Sequence, residues 1–314
     1  MTDPDRPFLL VVNPHAGAGR AGARLPELAS ALHADGGRFD VARTAGPGHA
    51  SELVREALRA GTPGVAVVGG DGTVNEAVNG FFDDRCEPVA PEAWLAPLPC
   101  GTGGDFRRTL GISRRTRTMA ARMMAARPRP VDVGLLRYHG HDGRRAHRFF
   151  LNIASFGIGG LVDELVNDAP KWMGGTPAFL LGTLRAMRRY RNQRVRIRLD
   201  DGAARETRVL NCAVANGQYF GGGMHIAPQA RIDDGAFDVV GLETTSFAQQ
   251  TRLTPHLYRG TLLGKPGVTW RRAQRVHAEP VEPGESVLLD VDGEAPGRLP
   301  AVFEMRPAAL RLRG

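Results

Sequence analysis

The segment richest in chemical potential is Gly69-Gly70-Asp71-Gly72-Thr73-Val74-Asn75-Glu76. Glycines let backbone N–H groups come close to an anion, above all where a loop runs into the start of a helix. Asp71 can hold a hydrated Mg²⁺ or organise a phosphate network, and Thr73 can donate its hydroxyl to phosphate. Three other stretches share this character: Asn13-Pro14-His15-Ala16-Gly17-Ala18-Gly19, Thr44-Ala45-Gly46-Pro47-Gly48-His49 and Pro99-Cys100-Gly101-Thr102-Gly103-Gly104-Asp105. Taken singly, the first is a turn and Thr44 a helix N-cap. Four such loops in one hundred residues call for a ligand.

A second constellation is acidic. Val287-Leu288-Leu289-Asp290-Val291-Asp292-Gly293-Glu294 reads as a strand that sets Asp290, Asp292 and Glu294 on one side if it stays extended. Its plain reading is a solvent-facing strand end with an Asp-Gly turn. Its chemical reading has Glu294 or Asp292 take the proton of an attacking hydroxyl while the neighbour places a metal. Arg231-Ile232-Asp233-Asp234-Gly235-Ala236 reads as a tight turn capped by aspartate.

Short apolar strands must position the four loops. Phe8–Val12, Phe39–Arg43, Val65–Val68 and Ala93–Ala96 each run directly into one of them. Between strands lie amphipathic segments, the clearest with Val74, Ala77, Val78 and Phe81 at i, i+3, i+4 and i+7. This β-α-β-α-β order predicts a parallel sheet, and ligands of such sheets bind at the carboxyl ends of the strands. After residue 130 the texture changes. Val195, Ile197 and Leu199 alternate with Arg194, Arg196 and Arg198, a half-buried strand, and helices are expected over 159–167 and 177–191. The expected organisation is an α/β domain over 1–130 and a mainly antiparallel β domain over 131–300. Residues 301–314 alternate weakly and are free to pair back onto the first domain.

With 314 residues, 42% of them hydrophobic, the chain has material for two cores. All but Lys171 and Lys265 of its 41 basic side chains are arginine, and neither lysine stands in a G-x-x-x-x-G-K-[ST] context. A P-loop NTPase is thereby excluded. Cys86, Cys100 and Cys212 form no CxxC or zinc spacing, which fits a reducing cytoplasm. No signal-peptide pattern or spanning apolar run is visible, so the protein is expected to be soluble or peripheral. The formal charge of +8 leaves a phosphate or anionic-lipid partner open.

The residues around Asp71, with Asn13-Pro14 and Pro99-Cys100-Gly101-Thr102-Gly103-Gly104-Asp105-Phe106, resemble the diacylglycerol kinase catalytic family, which includes bacterial lipid kinases and sphingosine kinases. The resemblance extends through Asn216-Gly217, Gly221-Gly222-Gly223-Met224, Ala227-Pro228-Gln229-Ala230 and Asp233-Asp234-Gly235 to Asp292-Gly293-Glu294. A Gly-Gly-Asp-Gly-Thr segment alone also fits NAD kinases and phosphofructokinases; the later motifs supply the specificity. One departure is Gly104, where the family usually has asparagine.

The resemblance implies a first domain of the phosphofructokinase/NAD-kinase-like type and an ATP-dependent lipid kinase, with diacylglycerol as a representative acceptor. ATP is expected on Asn13, Thr44, Gly69, Gly70, Asp71, Gly72, Thr73, Val74, Asn75 and Thr102, with Asp71 organising the phosphates through Mg²⁺. Glu294 becomes the acid-base residue and Asp292 the second choice. By the same resemblance, the carbonyls of Arg231 and Ala236 and the side chain of Asp234 are expected to hold a structural Mg²⁺. The expected partners are a lipid alcohol and, through the basic run Arg185, Arg188, Arg189, Arg191, Arg194, Arg196 and Arg198, a peripheral membrane surface; a homodimer stays open. Nucleic acid is not expected, since no RNA- or DNA-binding pattern accompanies the run. The alternatives are a soluble kinase of the NAD-kinase type and a non-catalytic nucleic-acid-binding protein.

Overall fold

A computed structural model describes residues 6–101, 103–159, 190, 192–243, 246–282 and 284–314. The chain forms two compact units, one of residues 1–133 with 307–314 and the other of residues 134–306. The helices expected over 159–167 and 177–191 lie essentially outside the described residues.

In the first unit, β1 (Phe8–Val12), β2 (Phe39–Arg43), β3 (Gly64–Gly69) and β4 (Trp94–Pro99) form a parallel sheet in the order β2-β1-β3-β4. Every residue of β3 is buried, as a central parallel strand covered on both faces requires. At the edge, β2 leaves Val41 46% exposed. The crossover helices are α1 (Arg20–Ala34), α2 (His49–Arg59) and α3 (Asp71–Gly80), and α4 (Asp105–Leu110) and α5 (Thr116–Ala125) follow β4. The face of α3 carrying Val74, Ala77 and Val78 is buried, with Phe81 just beyond it.

The C-terminal strand β15 (Gly297–Leu312) ends in this unit, where Arg311 and Leu312 pair in parallel with Trp94 and Leu95 of β4. Arg313 then donates to the carbonyls of Met123, Met124 and Ala126 at the end of α5, and its guanidinium lies 4.8 Å from the Trp94 ring centre. A cation on the last carbonyls of a helix satisfies acceptors that have no partner within it.

The second unit is antiparallel. Its elements are β5 (Arg129–Gly140, entering from the first unit), β6 (Arg145–Phe150), β7 (Ile153–Gly157), β8 (Gln193–Leu199), β9 (Arg205–Val209), β10 (Asn211–Ala215), β11 (Phe237–Leu242), α6 (Phe247–Arg259), β12 (Val268–Ala273), β13 (Arg275–Pro280) and β14 (Leu289–Val291). One sheet runs β12-β11-β10-β7-β14. The other joins β15, β13, β8 and β9, with the β5–β6 hairpin on β15. Alternate residues of both sheets meet in a shared core, where Phe150 stacks on Phe237 at 5.7 Å and Phe156 meets Phe303 at 6.1 Å. All four rings are buried, and truncating any one to alanine would cost about 3–5 kcal/mol. A smaller core joins Ile153, Ala213, Val240 and Leu242 to Leu253 and Leu257 of α6.

Among the described residues no helix is long and apolar enough to cross a membrane. The three cysteines are buried and form no disulfide. Burial pushes the Cys212 thiol up to about 12.

Candidate active site

In the first unit, four glycine loops leave the carboxyl ends of β1 to β4, and three are tied to one another. The N–H of Asn13 donates to the carbonyl of Val68 at 3.0 Å, and its Nδ2 donates to Thr73 Oγ1 at 3.0 Å. Its Oδ1 accepts from the His15 N–H at 3.1 Å. Cys100 N–H donates to the carbonyl of Gly69 at 2.8 Å. Asp71 then reaches the fourth loop, where Oδ2 accepts from the N–H of Asp105 at 3.0 Å and Oδ1 from that of Phe106 at 3.4 Å. Asp71 thus closes the start of α4 from another loop, an arrangement with no signal in local sequence.

Backbone approach explains two of the glycines. A methyl group on Gly101 would come within 2.6 Å of the Cα of Gly70. One on Gly17, whose φ is +63°, would come within 2.4 Å of the carbonyl oxygen of Cys100. Neither position admits a side chain without moving the loops apart.

The remaining expected contacts differ in kind. Thr44 is buried, and its N–H donates to the carbonyl of Val12 at 2.9 Å, which sets the second loop beside the first. Val74 turns its side chain into the core, and its N–H is taken by the Gly70 carbonyl at 3.1 Å, so both support the loop. Asn75 is also buried, its carbonyl accepting from Asn79 Nδ2 at 2.8 Å. Thr102 lies outside the described residues.

Arginines that the linear sequence did not single out surround these loops. Arg20 Nε donates to the Gly17 carbonyl at 2.7 Å, and Arg24 reaches the carbonyl of Arg114 at 3.4 Å. Arg108 pairs with Asp105 at 2.6 Å and donates to the Gly103 carbonyl at 2.8 Å. Arg107 is held below the ordinary guanidinium value by burial first, then by the charges of Arg114 and Arg108, and its buried Nε has no hydrogen-bond partner among the described residues. The thiol of Cys100 is raised by burial, with Arg24 and Arg20 opposing the shift. Crowded guanidiniums with an unpartnered buried donor make an electropositive rim suited to phosphate. Guanidiniums and backbone N–H groups can meet phosphate without a lysine.

In the second unit the acidic segment does not stay extended, which corrects the expected alignment of three carboxylates. Asp292 and Gly293 have φ of +50° and +88°, and Val291 and Glu294 exchange backbone hydrogen bonds at 2.8 and 3.1 Å. The result is a two-residue hairpin turn of the type that Asp-Gly favours. Asp290 is buried and accepts from Ser155 Oγ at 3.2 Å and Gly293 N–H at 3.0 Å. Asp292 accepts from the N–H of Ile153 at 3.0 Å, and its own N–H donates to the Ile153 carbonyl. Both aspartates therefore build the turn. Glu294 points elsewhere, 44% exposed, and meets the guanidinium of Arg148 at 2.7 Å. Tyr138 nearby has its phenol raised by burial, with the Glu294 charge adding to the effect and Arg148 opposing it.

Asn216-Gly217 is secured beside β7. Both N–H groups donate to the Asn152 carbonyl, at 2.9 and 2.7 Å, and Asn216 Nδ2 donates to that of Leu151 at 2.7 Å. The three glycines 221–223 all have positive φ in the loop between Phe220 and Met224, after which His225 stacks on Tyr219 at 4.1 Å.

At the expected metal loop, Asp234 is bound by Arg272 at 2.5 Å, and Arg231 Nε meets Asp233 at 3.3 Å. The carboxyl of Asp238 is raised by burial first, with the Asp234 charge adding to it, while Trp270 Nε1 and Arg272 work the other way. Carboxylate and carbonyl oxygens are the donors that a hard cation such as Mg²⁺ takes, and at Asp234 such a cation would have to displace or share the Arg272 pairing. Among the described residues there is no cluster of three or more His, Cys, Asp or Glu side chains, so main-chain oxygens would have to complete such a site.

The basic run divides. Arg185, Arg188, Arg189 and Arg191 lie outside the described residues. Arg194 pairs with Glu206 and Glu282, both at 3.1 Å, and Arg196 with Glu206 at 2.7 Å and Glu279 at 2.9 Å. These two arginines are neutralised within their own sheet, so they contribute little to the excess charge that the run was expected to present.

Comparison with known proteins agrees with this arrangement. The family described as diacylglycerol kinase catalytic domain matches residues 7–136, and the YegS C-terminal NAD kinase beta sandwich-like domain matches residues 152–314. A diacylglycerol kinase of Bacillus subtilis is 29% identical over 94% of this chain and 91% of its own. A protein of Pseudomonas aeruginosa named "Probable lipid kinase YegS-like" is 34% identical over 84% of this chain and 81% of its own. In fold, a crystal structure of a Bacillus anthracis diacylglycerol kinase aligns with a TM-score of 0.69 at 24% identity, covering 98% of this chain and 96% of that one. With loops, hairpin and both domain matches in agreement, the chain belongs to the diacylglycerol kinase family of lipid kinases, with a YegS-type C-terminal domain.

Proposed function

We propose that this kinase transfers the γ-phosphoryl group of ATP to the hydroxyl of a lipid alcohol, diacylglycerol being the representative acceptor. The observation that carries the reading is the joining of three glycine loops through Asn13, Cys100 and Asp71 inside a rim of arginines. Phosphoryl transfer depends mainly on positioning and on neutralising charge, since its transition state is loose and anionic. Backbone N–H groups and guanidiniums supply both functions without a lysine. The acceptor oxygen bonds to the γ-phosphorus, the bond from that phosphorus to the bridging oxygen breaks, ADP departs, and Glu294 takes the hydroxyl proton. Arg148 orients Glu294, and Asp292 holds the hairpin that presents it.

Mg²⁺ would supply charge neutralisation at the phosphates, and Asp71, whose carboxylate oxygens also accept from the N–H groups of Asp105 and Phe106, is the side chain that would hold it there. A second, structural Mg²⁺ is assigned to Asp234 with the carbonyls of Arg231 and Ala236. The test is γ-labelled ATP offered with a panel of lipid alcohols in mixed micelles, the products resolved by mass spectrometry. A Mg²⁺-dependent phosphorylated lipid is the expected product. Phosphorylation of NAD with no lipid product would replace this reading by the NAD-kinase type.

A further inference from the structure

Gly104 stands immediately before α4 and leaves two tasks to other residues. The first is capping, since the residue at this position of a helix commonly caps the first turn with its own side chain. Gly104 has none, and Asp71 accepts from the N–H groups of Asp105 and Phe106 instead. The second concerns space. Gly104 is buried with φ of +67°, and a Cβ built on it would meet Arg107 first, at 3.1 Å from Nε and 3.7 Å from Cβ and Cδ. Residues three apart share one side of a helix, so Arg107 lies across the room that a side chain at 104 would take.

The guanidinium lodged there is only partly engaged. A guanidinium carries five N–H donors in a fixed fork. Nη1 of Arg107 donates to the carbonyl of Ile112 at 3.0 Å, beyond the end of α4. Nε is buried without a hydrogen-bond partner, and the side chain forms no ion pair, among the described residues. The charges of Asp71 and Asp105 act on it, yet both carboxylates are engaged elsewhere, Asp71 by two N–H groups and Asp105 by Arg108 at 2.6 Å. Arg108 also donates to the Gly103 carbonyl at 2.8 Å, so this neighbour closes the loop on itself. Arg107 as a whole is half-buried, so part of it stays open to a solute. A partly desolvated, unpaired guanidinium is costly alone and favourable opposite an oxyanion.

We infer that Arg107 is a phosphate-binding residue of this site, its guanidinium, lodged over Gly104, donating to a phosphate oxygen of the nucleoside triphosphate. This role rests on the ATP reading of the glycine loops and deepens it by naming the side chain that meets the phosphate. Positions 104 and 107 then act as a pair, in which glycine at one makes room for arginine at the other. A small residue at 107 with a polar side chain at 104 is the equivalent exchange.

The test is calorimetric titration of the full chain with ATP and Mg²⁺, with no acceptor present. A hydrogen bond to a charged group is worth about 10- to 100-fold in affinity, so Arg107→Ala should weaken ATP binding by that factor. Arg107→Met keeps an aliphatic stem over Gly104 and loses the donors, and it should weaken binding to the same degree. Thermal melting shows which variants keep the fold. Gly104→Asn added to Arg107→Ala should recover about tenfold of the loss, because asparagine accepts the left-handed backbone and returns an amide donor to that space. In turnover, the KM for ATP should rise with the KM for the acceptor unchanged, a split that a merely structural arginine would not produce. A folded Arg107→Met protein with parental affinity for ATP would overturn the proposal, as would a double substitution that recovers nothing. A parent chain that binds no ATP would overturn the nucleotide reading and this role with it. A parent that binds ATP but phosphorylates no lipid would overturn the acceptor alone, and loss of affinity in Arg107→Met would still support the role of Arg107.

Discussion

Gly101→Ala is the sharpest probe of how the glycine loops are held. Carbon atoms in ordinary contact lie about 3.5–4.0 Å apart. The added methyl would stand 2.6 Å from the Gly70 Cα, so the third and fourth loops must part by about 1 Å. No left-handed backbone angle is needed at Gly101, so the effect is steric. A shift of that size carries the 3.0 Å bond between Asp71 and the Asp105 N–H beyond the limit of about 3.5 Å at which a hydrogen bond is lost. Overpacking of this kind costs about 1–3 kcal/mol of stability. Misplacement of reacting groups by about 1 Å costs on the order of 100-fold in turnover. The assay is turnover of labelled ATP at saturating acceptor, with nucleotide affinity by calorimetry and stability by thermal melting. Gly46→Ala is the control, because a methyl there meets nothing within 4 Å. A Gly101→Ala protein that turns over as fast as Gly46→Ala and the parent would show that close approach of these loops has no part in positioning the phosphates.

Three further outcomes are expected. Glu294→Gln should lower turnover by about 10²–10⁴-fold while leaving the melting temperature nearly unchanged, since a partly exposed ion pair contributes little to stability; full activity would remove Glu294 from its role. Gly104→Asn should be tolerated, because asparagine adopts φ of +67° and the tight contact its Cβ would make, 3.1 Å to Arg107 Nε, is with a side chain that can give by a few tenths of an ångström, whereas Gly104→Val should destabilise by about 1–2 kcal/mol in denaturant melts. Burial holds the imidazoles of His225 and His277 below their ordinary value, with Arg198 and Arg275 adding to the effect at His277 against Glu304 and Glu279. The unfolded chain therefore takes up these protons first as pH falls through about 6.5, so stability is complete above that pH and declines below it. Urea titrations across this range should show the decline, and replacing both histidines with glutamine should flatten it.

The loops were legible because each glycine cluster directly follows an apolar strand, and α3 because its apolar residues recur on one face. Alternation along β8 likewise identified a half-buried strand. What escaped was non-local. The bond from Asp71 to Asp105 spans 34 residues, and Arg20, Arg24, Arg107, Arg108 and Arg114 gather only once β1 and β4 lie in one sheet. The acidic segment misled because period-two alternation assumes an extended chain, while Asp292-Gly293 reverses it. Burial and hydrogen bonding of Asp290 and Asp292, and the Arg148 partner of Glu294, follow from that reversal. Arg194 and Arg196 looked cationic because their carboxylate partners sit on β9 and β13 and just beyond.

The path of β15 bears on how the chain acquires its structure. Residues 307–312 complete the sheet of the first unit beside β4, yet more than two hundred residues separate Leu95 from its partner Leu312. Domains ordinarily fold in order of synthesis. Here the glycine-loop unit keeps one flank of β4 bare until the other unit has been made, and contacts of such separation are slow to form. A fragment ending at Val133 would expose that flank as an unpaired strand edge, a template for self-association. Its tendency to aggregate would be answered by supplying the C-terminal peptide in trans, not by mutating the loops.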